Sequence, residues 1–240
     1  MERRKVTLEE YVQLGRLIEK GLIDRQTVQY LIERRFQAAP PASSVREAQA
    51  RRLFALRFGD VLGCTTFEQY LDARGRDSFE PVPQVPIFPE THLRLFGHDG
   101  LWLIDGRVVE KIGLTEYVRL VGLAYAGGDD DIVTHHQTSV KYGIRWMIGQ
   151  DGYRNRGKNV VACRKAFQPF EEGMNYVEGV GVYGLDPKTI HEHGMDLPGS
   201  VTRHDRKGVL FVALVNGVPT LGWDWDTVAS PDYGSATRGE

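Results

Sequence analysis

The sequence predicts an α+β protein: an N-terminal helical bundle, then a domain with an antiparallel β-sheet and packed helices. Three observations predict it. Residues 7–75 carry apolar residues at helical spacing between capping signals. Residues 81–89, Pro-Val-Pro-Gln-Val-Pro-Ile-Phe-Pro, hold four prolines in nine positions. Beyond them, alternating apolar residues and turn dipeptides give a strand pattern. The expected organisation is a helical region over 1–80, a proline-rich linker over 81–90 and a sheet domain over 91–240.

The front half is punctuated by capping boxes. Thr7 with Glu10 opens a helix whose stripe is Tyr11, Leu14, Leu17 and Ile18, and Gly21 ends it. Asp24 caps the next, with Val28, Leu31, Ile32 and Phe36, stopped by Pro40-Pro41. Ser44 with Glu47 precedes Leu53, Phe54 and Leu56; Thr65 with Glu68 opens a short helix closed at Gly75. Each helix has one apolar face and must pack against something. Helix, turn, helix is also the outline of a DNA reader over residues 24–58. Arg34-Arg35 and Arg51-Arg52 could neutralise phosphates. Glu33 and Glu47 sit among those arginines, so the charge footprint is weak and nucleic acid is not the favoured partner.

In the second half, Trp102-Leu103-Ile104 runs into Asp105-Gly106, a tight-turn signal, with Val108-Val109 as the return strand. A helix is expected over 114–126. Tyr142, Ile144, Trp146 and Ile148 alternate as a strand, and Gln150-Asp151-Gly152 turns the chain. Residues 159–183 read as helix in two pieces, broken near Pro169. Val209 to Val215 is a buried strand, Asn216-Gly217 a hairpin turn, and Pro219 to Trp225 the return strand. Pro219 lacks an N–H, which places that strand at an edge.

Several function classes fall away. With 30 basic against 32 acidic residues the net charge is -2, which excludes a generally basic, histone-like chain. No apolar run approaches the roughly 20 residues of a membrane span, and the glutamates after Met-Glu-Arg-Arg-Lys interrupt any secretory signal. The expected location is therefore cytoplasmic, with Cys64 and Cys163 reduced. There is no C-x-x-C, no H-E-x-x-H, no G-x-S-x-G elbow and no phosphate-binding glycine loop. His191-Glu192-His193 looks like part of a short helix, where alternate residues do not share a face, so no metal site is assigned. Asp129-Asp130-Asp131 reads as a solvated loop. Asp224 and Asp226 share a strand face that should meet water. Cys163 reads as a buried small apolar residue. No cofactor is indicated, and catalysis is neither indicated nor excluded.

Two C-terminal segments stand out as loops: Asp196-Leu197-Pro198-Gly199-Ser200 and Pro231 to Arg238. Backbone amides and hydroxyls in such loops can cradle an anion. The candidate ligand-binding residues are Asp196, Ser200, Arg203, Trp223, Tyr233, Ser235 and Arg238, with Arg203 and Arg238 adding charge. Tyr233, Trp223 and Trp225 would form a stacking wall. Ordinary turn chemistry around a sheet accounts for the same residues.

His193-Gly194-Met195-Asp196-Leu197-Pro198-Gly199-Ser200, Pro219-Thr220-Leu221 and Pro231-Asp232-Tyr233-Gly234-Ser235-Ala236 resemble motifs of an uncharacterised family of bacterial proteins. So do Gln150-Asp151-Gly152, Cys163-Arg164 with Phe167, and Glu172-Gly173. The resemblance covers roughly residues 140–240. It implies a bacterial or phage-like cytoplasmic setting and no activity.

The first functional expectation is a binding or interaction module with a protein partner. An enzyme or receptor for a phosphorylated or nucleotide-like ligand, an anionic small molecule held by the Gly/Ser loops, is the alternative. DNA binding by the front helices is the third.

Overall fold

The computed structural model describes residues 42–76, 79–96, 100–125, 127–128, 131–135 and 141–239. The helices expected over 7–36 lie outside the described residues. Seven helices lie among the described residues: α1 (Ala42–Ala55), α2 (Phe58–Leu62), α3 (Phe67–Asp72), α4 (Glu90–Phe96), α5 (Arg107–Leu120), α6 (Val160–Ala166) and α7 (Tyr176–Leu185). Nine strands accompany them: β1 (Leu101–Asp105), β2 (Ile132–Thr134), β3 (Ile144–Gln150), β4 (Glu171–Gly173), β5 (Gly194–Thr202), β6 (Gly208–Val215), β7 (Val218–Trp225), β8 (Tyr233–Ser235) and β9 (Thr237–Gly239). The class is α+β, with mostly antiparallel pairing.

One sheet runs β1-β3-β9-β4 and the other β2-β5-β6-β7, with β8 pairing parallel to β5. The chain changes sheets at Ala236. Its N–H donates to Asp196 O at 2.9 Å, while its carbonyl accepts Met174 N–H at 3.0 Å. The C-terminal segment thus stitches both sheets together.

The prolines do not divide this unit. Residues 41–240 cluster as one body, and Val82 is 1% exposed within its core. Arg46 Nε donates to Val82 O at 3.0 Å, and Trp146 Nε1 to Pro83 O at 3.0 Å. Gln49 of α1 accepts Leu103 N–H and donates to Leu101 O, joining the helical front to β1. The proline stretch is an extended strap on a shared core, because its intervening Val82, Val85 and Phe88 are apolar enough to lie down.

Local signals shifted in instructive ways. Thr66, not Thr65, caps α3: its side chain accepts Gln69 N–H, while Gln69 Oε1 takes Thr65 N–H. Helix α1 starts at Ala42, so Ser44 lies inside its first turn. Asp105-Gly106 makes no hairpin. Gly106 is right-handed (φ -73°), and Asp105 accepts Arg107 Nε at 2.8 Å and Tyr70 Oη at 2.8 Å. Those bonds start α5 there, and Val108 and Val109 bury into the core as helix. Of the 159–183 pieces, α6 ends before Pro169, β4 intervenes, and Asn175 with Glu178 forms the capping box of α7.

A tight backbone approach joins Gly152 and Gly234. A Cβ on Gly234 would stand 2.1 Å from Gly152 O, and one on Gly152, at φ +105°, 2.2 Å from Gly234 O. Gly234→Ala should therefore destabilise by about 1–3 kcal/mol through overpacking. Urea unfolding of the variant measures this, and an unchanged midpoint would show that the two turns can part freely.

Candidate functional site

The two Gly/Ser segments are strands, not loops. Pro198 and Gly199 sit where the β5–β6 register shifts between Leu197 and Val201. Proline has no N–H to give a ladder, and a bulge tolerates that. Gly199 N–H donates to Met174 O at 2.8 Å, and a Cβ on neighbouring Gly173 would meet Pro198 Cβ at 2.5 Å. Close packing between the sheets thus turned a loop-like composition into a buried strand.

The segments do meet. β5 and β8 pair as Gly194 with Tyr233, Met195 with Gly234 and Asp196 with Ser235. Asp196, Tyr233 and Ser235 therefore share one face. On the same face β6 presents Phe211 opposite Asp196, and β7 presents Gly222 opposite Phe211. The Tyr233 and Phe211 rings stand edge to face, centroids 5.2 Å apart. Asp224, one strand position further along, completes the face.

The other candidates lie elsewhere. Ser200 is fully buried, and its Oγ accepts Tyr176 N–H at 2.7 Å, holding the start of α7. Arg238 is 4% exposed and paired with Glu178 at 2.9 Å and Glu172 at 2.5 Å. It is part of a buried ionic network and does not face a ligand. Arg203 lies in the exposed β5–β6 turn, its N–H donating to Asp131 O at 2.9 Å. Trp223 points to the opposite face from Asp196, beside Trp225. The two indoles meet at 90° with centroids 5.6 Å apart, 55% and 46% exposed.

Asp196 is the unusual group. It is 8% exposed, and its carboxyl makes no hydrogen bond among the described residues. Burial, with Asp224 adding to it against the opposing pull of His193, pushes its pKa up to about 7. Ser235 Oγ is buried without a nitrogen or oxygen partner and has only the Cys163 thiol beside it. Burial pushes that thiol up in spite of Ser235 and Lys158, so Cys163 is no ready thiolate nucleophile.

Sequence reasoning missed a neighbouring pair. His193 Nε2 lies 3.1 Å from Asp151 O and 3.6 Å from its carboxylate. Burial opposes the charge on His193, but Asp151 outweighs it and raises the imidazole. Asp151 is lowered: burial works against this, and His193 with the Tyr153 amide prevails. Gln150-Asp151-Gly152 reads locally as a turn, and nothing in it points 42 residues ahead.

Among the described residues no three His, Cys, Asp or Glu side chains could hold a metal ion. No helix there is long and apolar enough to cross a membrane. Two surface hollows are lined by side chains already paired. Arg57 bonds Asp60 and Arg119 bonds Glu116 in one; Glu171 bonds Arg154 and Glu172 bonds Arg238 in the other. The arginines Arg51 and Arg52 are likewise engaged, with Glu47 and with Gly184 O. Arg34 and Arg35 lie outside the described residues. Comparison with family models, curated proteins and solved structures finds no match for the chain.

Proposed function

We propose that the chain is a binding module without catalysis, and that its contact surface is the Trp223–Trp225 end of β7. The observation that supports it is the exposed pair of indoles. Large aromatic side chains rarely stay half-exposed side by side, and they concentrate binding energy where they do.

The chemistry of that surface comes from side chains rather than from the strand edge. Leu221 N–H donates to Ala124 O at 2.9 Å, and Ala124 N–H to Pro219 O at 2.8 Å. Trp225 N–H is taken by Asp224 Oδ1 at 2.7 Å, and Trp225 O by Val228 N–H at 3.0 Å. The edge is thus blunted against pairing with another strand, as soluble sheets require.

The β5–β6 turn beside the indoles carries Arg203, Arg206 and Lys207. This supports the second reading, a nucleotide-like ligand whose ring stacks on tryptophan. Asp205, Asp224 and Asp226 balance those cations, so ring contact should dominate over charge. Asp205 itself is spent on the turn, accepting Thr202 Oγ1 at 2.8 Å and Lys207 N–H at 3.0 Å.

Indole fluorescence tests both readings. The chain has four tryptophans, and Trp102 and Trp146 are only 7% and 8% exposed. Titration with nucleosides, nucleotides and a short oligonucleotide should quench the exposed pair, with little dependence on salt. The Trp223→Ser, Trp225→Ser double variant should lose the response. No quenching by any of them removes the ring-ligand reading. Steady turnover of a substrate removes the non-catalytic one.

A further inference from the structure

The opposite face of the same sheet holds a second, independent constellation. Its middle row reads Ser235, Asp196, Phe211 and Gly222 across β8, β5, β6 and β7. The rows on either side add Tyr233 and Asp224. Two glycines shape it. A Cβ on Gly194 would meet the Tyr233 ring at 2.5 Å, and one on Gly222 the Phe211 ring at 2.6 Å. Each ring therefore lies down over a glycine, and Asp196 is on β5, the strand between the two that carry the rings.

Two polar groups in this row are under-bonded. The carboxyl of Asp196 makes no hydrogen bond among the described residues although the residue is only 8% exposed, and the fully buried Ser235 Oγ has no nitrogen or oxygen partner, only the Cys163 thiol beside it. Buried polar groups nearly always have partners, and exceptions ask for a missing one. Three cations nearby are committed elsewhere, and Lys158 acts on the Cys163 thiol rather than on Asp196. Arg164 bonds Pro198 O at 2.7 Å and Asp226 at 3.1 Å; Arg156 Nε bonds Pro231 O at 3.1 Å; His193 pairs with Asp151.

We propose that this face is a recognition site for an organic cation, an alkylammonium or guanidinium group of the size of a lysine or arginine tip. Asp196 supplies the buried acceptor, Ser235 Oγ a second one, and Asp224 a carboxylate at the mouth. The Phe211 and Tyr233 rings, in contact with each other, form an aromatic wall against which a cation can lie. A hard divalent ion suits the site poorly, because such ions take six or more oxygen ligands and the rings provide none. A free anion is repelled by two carboxylates. The ligand is thus of opposite charge to the anionic molecule expected from the sequence.

The groups facing Asp196 set its pH response. They are Asp224 on β7, His193 before β5, Tyr233 and Ser235 on β8, and Cys163 on α6, with Lys158 close to the thiol. Cation binding needs the ionised carboxylate, and bound cation in turn favours that ionised form.

Calorimetric titration with n-butylammonium and with ethylguanidinium, in chloride buffers of matched ionic strength, tests the site. Millimolar binding is expected, strengthening roughly tenfold or more from mildly acidic to mildly basic pH, with proton release near neutrality. Asp196→Asn should abolish it and Asp224→Asn weaken it, while Trp223→Ser with Trp225→Ser leaves it intact. No millimolar binding at basic pH, affinity independent of pH, or unchanged binding in Asp196→Asn each overturns the proposal. Loss in the tryptophan double variant would move binding to the β7 end and overturn it as well. The tryptophan surface is read by other variants and other probes, so either site can fail alone.

Discussion

Replacing Asp196 by Asn is expected to stabilise the protein by about 4 kcal/mol near pH 8 and to change little near pH 4. The carboxyl rises from the usual 3.8 to about 7 in the folded chain, and about 1.36 kcal/mol per pH unit gives that figure. A group whose pKa is raised by folding binds its proton more tightly in the native state. Its contribution is whole below pH about 4, declines as pH rises, and levels off above about 7. His193 is also raised, so it too loses stabilisation as pH climbs through its folded value. Asp151 is lowered and acts in reverse, losing its contribution as pH falls below the ordinary carboxylate range. The parent should therefore be most stable in mildly acid solution. The Asn variant should keep only the slopes from His193 and Asp151. Thermal unfolding across this range measures it: the midpoint should rise by roughly 8–16 °C at the basic end. An equal shift at every pH would mean that packing, not titration, is responsible. A stabilised Asp196→Asn also protects the cation test, since lost binding could not be put down to misfolding.

The sequence was legible where structure is decided within a few residues. Asn216-Gly217 carries its own left-handed geometry, at φ +51° and +78°, and the β6–β7 hairpin forms around it. Pro219 does lie on an edge strand. The strand at Ile144–Gln150 follows the alternation seen there. Reading failed where a distant partner overrode the local signal. Asp105-Gly106 has hairpin composition, but Tyr70, 35 residues away, helps fix Asp105 as the start of a helix. Pro198-Gly199 has turn composition, but Met174 and Gly173 make it a bulge inside β5. The same logic split the candidate site. The parallel β5–β8 pairing brings Asp196, Tyr233 and Ser235 together. Arg238 belonged to the same motif, yet it lies beyond the sheet change at Ala236, so it faces Glu178 and Glu172 instead. One residue of strand periodicity and one change of sheet separate the Asp196 face from a core ion pair.

Truncating Glu178 should cost about 3–5 kcal/mol, the usual loss when one partner of a buried ion pair is removed. Its side chain is wholly buried, accepts Arg145 at 2.6 Å and forms an ion pair with Arg238 Nε at 2.9 Å, while also accepting Asn175 N–H at 2.9 Å as half of a capping box. Glu178→Ala therefore removes three contacts at once. It leaves Arg238, 5% exposed at its side chain, with Glu172, and Arg145 with the Lys141 carbonyl. The damage should spread along β9, which holds β3 to β4 through Thr237 and Arg238. Urea unfolding should show the lower midpoint, and amide exchange should quicken first at Thr237, Arg238 and the start of α7. Glu178→Gln keeps a hydrogen-bonding shape without the charge, so it should fold and show a smaller loss. That variant separates the two components: if Gln costs as much as Ala, charge dominates the network; if it costs nothing, the hydrogen bonds do. A loss below about 1 kcal/mol for Glu178→Ala is what a solvent-screened pair would give, and it would contradict the burial of Glu178 and Arg238. The ionic chain Arg145–Glu178–Arg238–Glu172 thus anchors the C-terminal strand in one sheet, and through Ala236 it fixes where β8 presents Ser235 and Tyr233 in the other.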